Sequence, residues 1–306
     1  MESGTREVEI VEVGPRDGLQ NEAETLDVGT RVEFINRLVD AGIQRMEAVS
    51  FVHPKRVPQM AKAEEVMSAL SVDDGVTYIG LALNRQGLDR AINAGCKEVN
   101  YALVASDEFS QRNQGTTVKQ AIDVYKEISR VSKAANVRCS LTISTAFGCP
   151  FQGEVPAEKV ISLVKECAND ETHEIALADT IGCAVPSQVT ELFGAVMDIS
   201  PSALFRAHFH NTRNTGIANC YAAVEAGVQA IDASAGGIGG CPFAPRATGN
   251  VPSEDLVYML DRMGIKTGID IGKLISAGEW IGKQLGHDIP AMIGKAGVFP
   301  PIQLRT

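Results

Sequence analysis

Along this chain, short apolar runs rich in β-branched residues alternate with segments whose apolar positions recur every three or four residues. A period near two marks a strand, and one near 3.6 marks an amphipathic helix. The first pattern predicts strands over Val8–Gly14, Arg45–Ser50, Thr77–Leu83, Glu98–Val104, Val137–Ser144, Glu174–Asp179, Leu204–His210 and Ala230–Ala235. The second predicts helices over Thr30–Ala41, Gln59–Leu70, Gln86–Ala94, Val118–Ala135, Ala157–Ala168, Ser187–Ile199 and Thr215–Ala226. Three of these end in Ala41-Gly42, Ala94-Gly95 and Ala226-Gly227, with glycine where a left-handed C-cap is wanted.

Strands alternating with helices of this length make repeated βαβ units and a parallel sheet. Eight units without a long linker favour a closed (β/α)8 TIM barrel over an open doubly wound sheet. The open sheet would put a Gly-rich dinucleotide fingerprint after its first strand, and here that turn reads Gly14-Pro15-Arg16-Asp17-Gly18. Residues 1–306 are expected to form one barrel domain, with 271–306 as a short C-terminal helical extension.

Composition narrows the partners. With 306 residues, 44% hydrophobic, there is ample material for one large core. A net charge of −10 argues against nucleic acid or an anionic membrane as the main ligand, and no apolar run is long enough to span a bilayer. The charged opening Met1–Val8 is not a secretory signal, and Glu2 and Glu7 interrupt any transit-peptide pattern. Seven cysteines without CxxC spacing are read as reduced thiols of a cytoplasmic protein. A homo-oligomer, dimer or higher, is expected.

Barrel chemistry collects where strands end. Arg16 and Asp17 follow the first strand, Glu47 lies in the second, Asp179 closes the sixth, and His208-Phe209-His210-Asn211 closes the seventh. His208 and His210 are two residues apart, so both rings project to one face of their strand. A lone strand histidine is ordinarily a satisfied core residue, but a same-face pair beside Asp17 points to a metal. Asn250 can add a carbonyl oxygen. This donor set suits Mg²⁺ or Mn²⁺, with Zn²⁺ or Co²⁺ as competitors. Cys241 follows Gly236-Gly237-Ile238-Gly239-Gly240 and is read either as a small apolar residue or as a proton donor on a mobile loop. Arg16 is the natural cation for a developing enolate oxygen, or else the salt-bridge partner of Asp17 or Glu47. Glu47 is read as an orienting acid or as an arginine's partner.

Several motifs, in order along nearly the whole chain, are specific together. They are Val11-Glu-Val-Gly-Pro-Arg-Asp-Gly-Leu-Gln-Asn-Glu22, Ser50-Phe-Val-His-Pro-Lys-Arg-Val-Pro-Gln-Met60, Asp179-Thr-Ile-Gly182 and Gly236-Gly-Ile-Gly-Gly-Cys-Pro-Phe-Ala244. Thr248-Gly-Asn-Val251 with Glu254-Asp-Leu-Val-Tyr-Met-Leu260 completes them. This pattern resembles the 3-hydroxy-3-methylglutaryl-CoA lyases. The resemblance implies a metal-dependent carbon–carbon lyase that takes an acyl-CoA to acetyl-CoA and acetoacetate by retro-Claisen cleavage, a step of leucine degradation. It implies that Asp17, His208, His210 and Asn250 hold the cation. It also implies that Arg16, Cys241, Asp179 and Glu47 serve catalysis, and that Arg16, Gln20, Arg213 and Arg246 contact substrate.

Two stretches depart from the family pattern. Asn211-Thr212-Arg213-Asn214 stands where Asp-Thr-Tyr-Gly is usual, and Arg246 where a small residue is usual. A related ester such as citramalyl-CoA, giving pyruvate and acetyl-CoA, is the alternative substrate. An acetyl-CoA-dependent condensing synthase is the alternative in a different class.

Overall fold

The structure, a computed structural model, describes residues 6–71, 75–169, 171–240 and 249–300. The strands are β1 Glu9–Glu12, β2 Arg45–Ser50, β3 Thr77–Leu81, β4 Glu98–Val104, β5 Arg138–Ser144, β6 Glu174–Asp179, β7 Leu204–Phe209 and β8 Ala230–Ala233. They close into a barrel in chain order, all parallel, with β1 paired to both β2 and β8. The helices that return each strand are α1 Val28–Asp40, α2 Ala63–Ala69, α3 Arg85–Asn93, α4 Asp107–Gln114 and α5 Val118–Ala134. They continue as α6 Ala157–Cys167, α7 Pro186–Ile199, α8 Gly216–Ala226, α9 Ser253–Arg262, α10 Ile271–Leu285 and α11 Ile293–Ala296.

The three glycines expected at helix ends adopt positive φ, at +100° for Gly42, +84° for Gly95 and +99° for Gly227. Other expectations are corrected by local chemistry. The first strand stops at Glu12, because Gly14–Gly18 turns into a single π-helical turn led by Pro15. The helix expected over Gln59–Leu70 divides, with a 3₁₀ turn at Pro58–Met60, left-handed Lys62 and α2 beyond it. Two helices were not among those expected: α4, which is short and polar, and α9, whose Leu256, Val257 and Leu260 form a buried amphipathic face. Ser106 accepts the Phe109 N–H to cap α4, and Gly115 ends it in the left-handed region.

Apolar side chains between barrel and helices form the main core, in which Phe34, Ile35, Leu38, Phe193, Phe205 and Phe209 are fully covered. Inside the barrel, among the described residues, Val11, Val13, Ile79 and Ala230 form a small apolar cluster. Much of the remaining interior is polar. Arg45 donates to Glu98 (2.6 and 3.2 Å) and Glu174 (2.8 Å twice), and Ser140 also donates to Glu98 (2.9 Å). Ions so deeply buried persist only when paired. Here they form the floor under the barrel mouth.

Trp280 of α10 stacks on Phe34 of α1 with ring centroids 6.4 Å apart. It thereby fixes α10 beside the β8 loop, where a Cβ at Gly278 would meet Glu254 Oε1 at 2.5 Å. Residues 301–306 of the expected extension lie outside the described residues.

Candidate active site

The π turn after β1 presents Arg16 and Asp17 at the carboxyl end of the barrel. It needs glycine at both ends: a Cβ at Gly14 would lie 2.6 Å from Glu12 Oε1, and one at Gly18 would lie 2.7 Å from Ile238 Cγ1. β7 delivers His208, and His210 follows directly, bridged in backbone to Asn250. The two Nε2 atoms lie 4.0 and 3.9 Å from the same oxygen, Asp17 Oδ2. Asn250 Nδ2 donates to that oxygen at 3.1 Å, while its buried Oδ1 has no hydrogen-bond partner.

Asp17, His208 and His210 thus offer one ligand atom each, all within 4.8 Å of one another, and can hold a metal ion. One carboxylate, two imidazoles and a free amide oxygen fit a divalent cation.

Electrostatics suit that task. Burial raises the Asp17 pKa, but the Arg16 guanidinium and the two imidazoles overcome it and hold the carboxyl at about 2. Burial first, then His208, brings His210 down to about 4, so it is neutral near pH 7 with a free lone pair. Burial also pulls on His208, but its hydrogen bond to Asp232 and that residue's charge raise it on balance.

Arg16 is fully engaged. Nη1 donates to Asp17 Oδ1 at 2.6 Å and Nε to Glu47 Oε2 at 2.5 Å, while Nη2 pairs with the same Glu47 oxygen. Glu47 is held from behind by Asn100 Nδ2 at 2.6 Å, and Thr142 Oγ1 in turn donates to Asn100 at 3.1 Å. Arg16, Asp17, Gln20, Glu47, His208 and His210 all line one cavity of about 1020 Å³. That is room for a long ligand whose reactive end reaches the cluster.

The model of the HMGL-like family matches residues 7–281. The chain belongs to this family. Its full-length relatives include the (R)-citramalyl-CoA lyase of Chloroflexus aurantiacus, 42% identical over 96% of each protein. The hydroxymethylglutaryl-CoA lyase of Pseudomonas mevalonii is 40% identical over 91% of this chain and 93% of its own. A solved HMG-CoA lyase of Acinetobacter baumannii, in complex with coenzyme A and 3-methylmalate, superposes with a TM-score of 0.92 at 39% identity, covering 98% of both chains. This HMGL-like chain is a carbon–carbon lyase.

Two residues expected in the HMGL-like site have their side chains bonded to backbone groups. Asp179 Oδ1 and Oδ2 accept the backbone N–H groups of Cys183 and Ala184, both at 2.9 Å, and burial raises its pKa. Arg213 donates to the carbonyls of Ile181 (2.9 Å) and Gly182 (2.8 Å). Both residues brace the turn between β6 and α7. Cys241 and Arg246 lie outside the described residues.

Sequence reasoning missed Asp232, Arg206, Asn100 and Thr142, which stand behind the cluster. A signal was available in three of them. Arg206, Asp232 and Asn100 are strand residues too polar to be buried unpaired.

Proposed function

We propose that this lyase cleaves 3-hydroxy-3-methylglutaryl-CoA to acetyl-CoA and acetoacetate at the Asp17–His208–His210–Asn250 cluster. The observation that carries this reading is the convergence of three ligand atoms on one cavity wall, with Arg16 against them. The cation we favour is Mg²⁺ or Mn²⁺, which when bound supplies Lewis acidity toward oxygen.

Arg16 is locked by Glu47 and Asp17, so its charge is already in place when an enolate oxygen develops. Such preorganised donors are worth about 10²–10³ in rate. In the retro-Claisen step the tertiary hydroxyl gives its proton to solvent in the cavity, the adjoining carbon–carbon bond breaks, and its electron pair passes into the acetyl-CoA enolate. A proton then returns to the enolate carbon, and we assign that donation to Cys241. Cys241→Ser is expected to lower kcat about 10²-fold or more while Mn²⁺ affinity is kept, as steady-state kinetics with metal titration would read. Unchanged kcat would remove the thiol from the mechanism. Asp179, with both oxygens held by backbone N–H groups, is left out of the proton path.

A second reading rests on the 42% relative that covers 96% of this chain: citramalyl-CoA, split to acetyl-CoA and pyruvate. The two acyl groups differ by one methylene between carbinol and carboxylate, a difference a pocket discriminates by only about 1–3 kcal/mol. We place the enzyme in the cytoplasm as a homo-oligomer, a setting consistent with free thiols at Cys96, Cys139, Cys149, Cys167, Cys183 and Cys220.

Mass spectrometry of products from both esters, with Mg²⁺ and with chelator, tests the assignment. Acetoacetate and acetyl-CoA from the first ester are expected, with loss of activity on chelation. Pyruvate from the second ester alone would transfer the assignment to citramalyl-CoA, and acetyl-CoA from neither would overturn it.

A further inference from the structure

Behind the cluster, β7 and β8 lie in a register that pairs His208 with Asp232. His208 Nδ1 and Asp232 Oδ2 are 3.0 Å apart. An ionised carboxylate only accepts, so in the neutral ring the proton sits on Nδ1 and leaves Nε2 as a bare acceptor. That Nε2 and its counterpart on His210 both face Asp17 Oδ2 at about 4 Å, beyond hydrogen-bond reach. His210 has no such support, since its Nδ1 is buried without a partner.

Asp232 is itself secured. Arg206, fully buried, donates from Nη1 to Asp232 Oδ1 at 2.8 Å and lies 2.8 Å from Glu174 and 4.0 Å from Glu47. One guanidinium therefore anchors the carboxylate that steers His208. It also stands beside the carboxylate that locks Arg16. Arg206 and His208 share the inward face of β7, two residues apart.

We propose that Asp232, held by Arg206, is the positioning residue that fixes the tautomer of His208 and turns its Nε2 into the cluster. The inference rests on the reading of that cluster as a cation site. It assigns the two imidazoles different standing: the protein dictates the tautomer of His208 but not that of His210.

Asp232→Asn separates this role from mere packing. Arg206 still demands an acceptor and takes the amide oxygen, so the amide NH₂ faces His208 Nδ1 and forces the proton onto Nε2. Two measurements read the outcome: Mn²⁺ binding by electron paramagnetic resonance, and long-range ¹⁵N–¹H correlation of ¹⁵N-histidine protein at pH 8 without metal. The expected result is Nδ1–H at His208 in the unaltered chain and Nε2–H in the variant, with Mn²⁺ affinity lowered about 10–100-fold. A variant that keeps Nδ1–H, or binds Mn²⁺ within threefold of the unaltered chain, overturns the proposal. Should Asp232→Asn fail to fold, the unaltered chain still decides, because Nε2–H at its His208 contradicts the proposal. His208→Ala that bound Mn²⁺ undiminished would instead overturn the cation-site reading beneath it.

Discussion

His210 carries the sharpest consequence of any single side chain. Its ring is buried, burial and His208 bring its pKa down to about 4, and its Nδ1 has no hydrogen-bond partner. Truncation therefore breaks no internal partnership while removing one ligand atom of the cluster. His210→Ala is expected to keep the thermal stability within a few degrees, lose Mn²⁺ binding at micromolar metal, and lose lyase activity by about 10³-fold or more. Calorimetric metal titration with a kinetic assay checks this, and a variant that still binds and turns over would exclude His210 as a ligand. The sequence pointed to this residue because a same-face histidine pair is a strong signal. Asp179 was singled out by its place at a strand end and Arg213 by its departure from the family pattern, and neither signal says which way a side chain turns. In both, backbone groups of the β6–α7 turn capture the side chain.

The loop after β8 is the element on which the site most depends. Gly249 has φ +108°, and an added Cβ would meet the carbonyl oxygens of Gly239 at 2.4 Å and Gly237 at 2.6 Å. Gly249→Ala is expected to cost about 1–3 kcal/mol and to weaken Mn²⁺ binding, since Asn250 is the next residue. Urea denaturation with metal titration measures both, and an unperturbed variant would contradict the tight packing described. Two buried acids grip the same loop. Glu12 accepts from Gly14 N–H, Ala235 N–H and Ser253 Oγ, and Glu254 accepts from Gly236 N–H with both oxygens. Burial raises Glu12 to about 7 and Glu254 to about 8. The folded chain thus holds extra protons that the unfolded chain releases above about 4.5, so this contribution is lost as pH rises through about 8. Relative to Glu254→Gln, the unaltered chain should lose stability between pH 5.5 and 8.5. Melting temperatures of the two proteins across that range test the sign, and a constant difference would contradict it.

Across the molecule, the barrel is held by an ion network as much as by its apolar shell. Arg45, 5% exposed, joins Glu98, Glu174 and the rim residue Glu9. Arg45→Met leaves two buried carboxylates short of a cation and is expected to cost about 3–5 kcal/mol in urea unfolding. A loss below about 1 kcal/mol would show that Arg206 and Arg138 neutralise the floor without it. Alternation and glycine punctuation made the eight units legible, since most strand positions facing the helices are apolar. The interior was not legible, because strands such as β4 and β7 place polar residues on the inward face, and their partners come from distant strands. Glu98 and Arg45 are 53 positions apart, and Arg45 and Glu174 are 129. Only closure of the barrel brings them together.

Anomalous diffraction from a crystal soaked in Mn²⁺ bears on all of this at once. The geometry predicts one strong peak touching Asp17 Oδ2, His208 Nε2, His210 Nε2 and Asn250 Oδ1. A peak elsewhere, or those four groups turned away from an ion bound in the cavity, would contradict it.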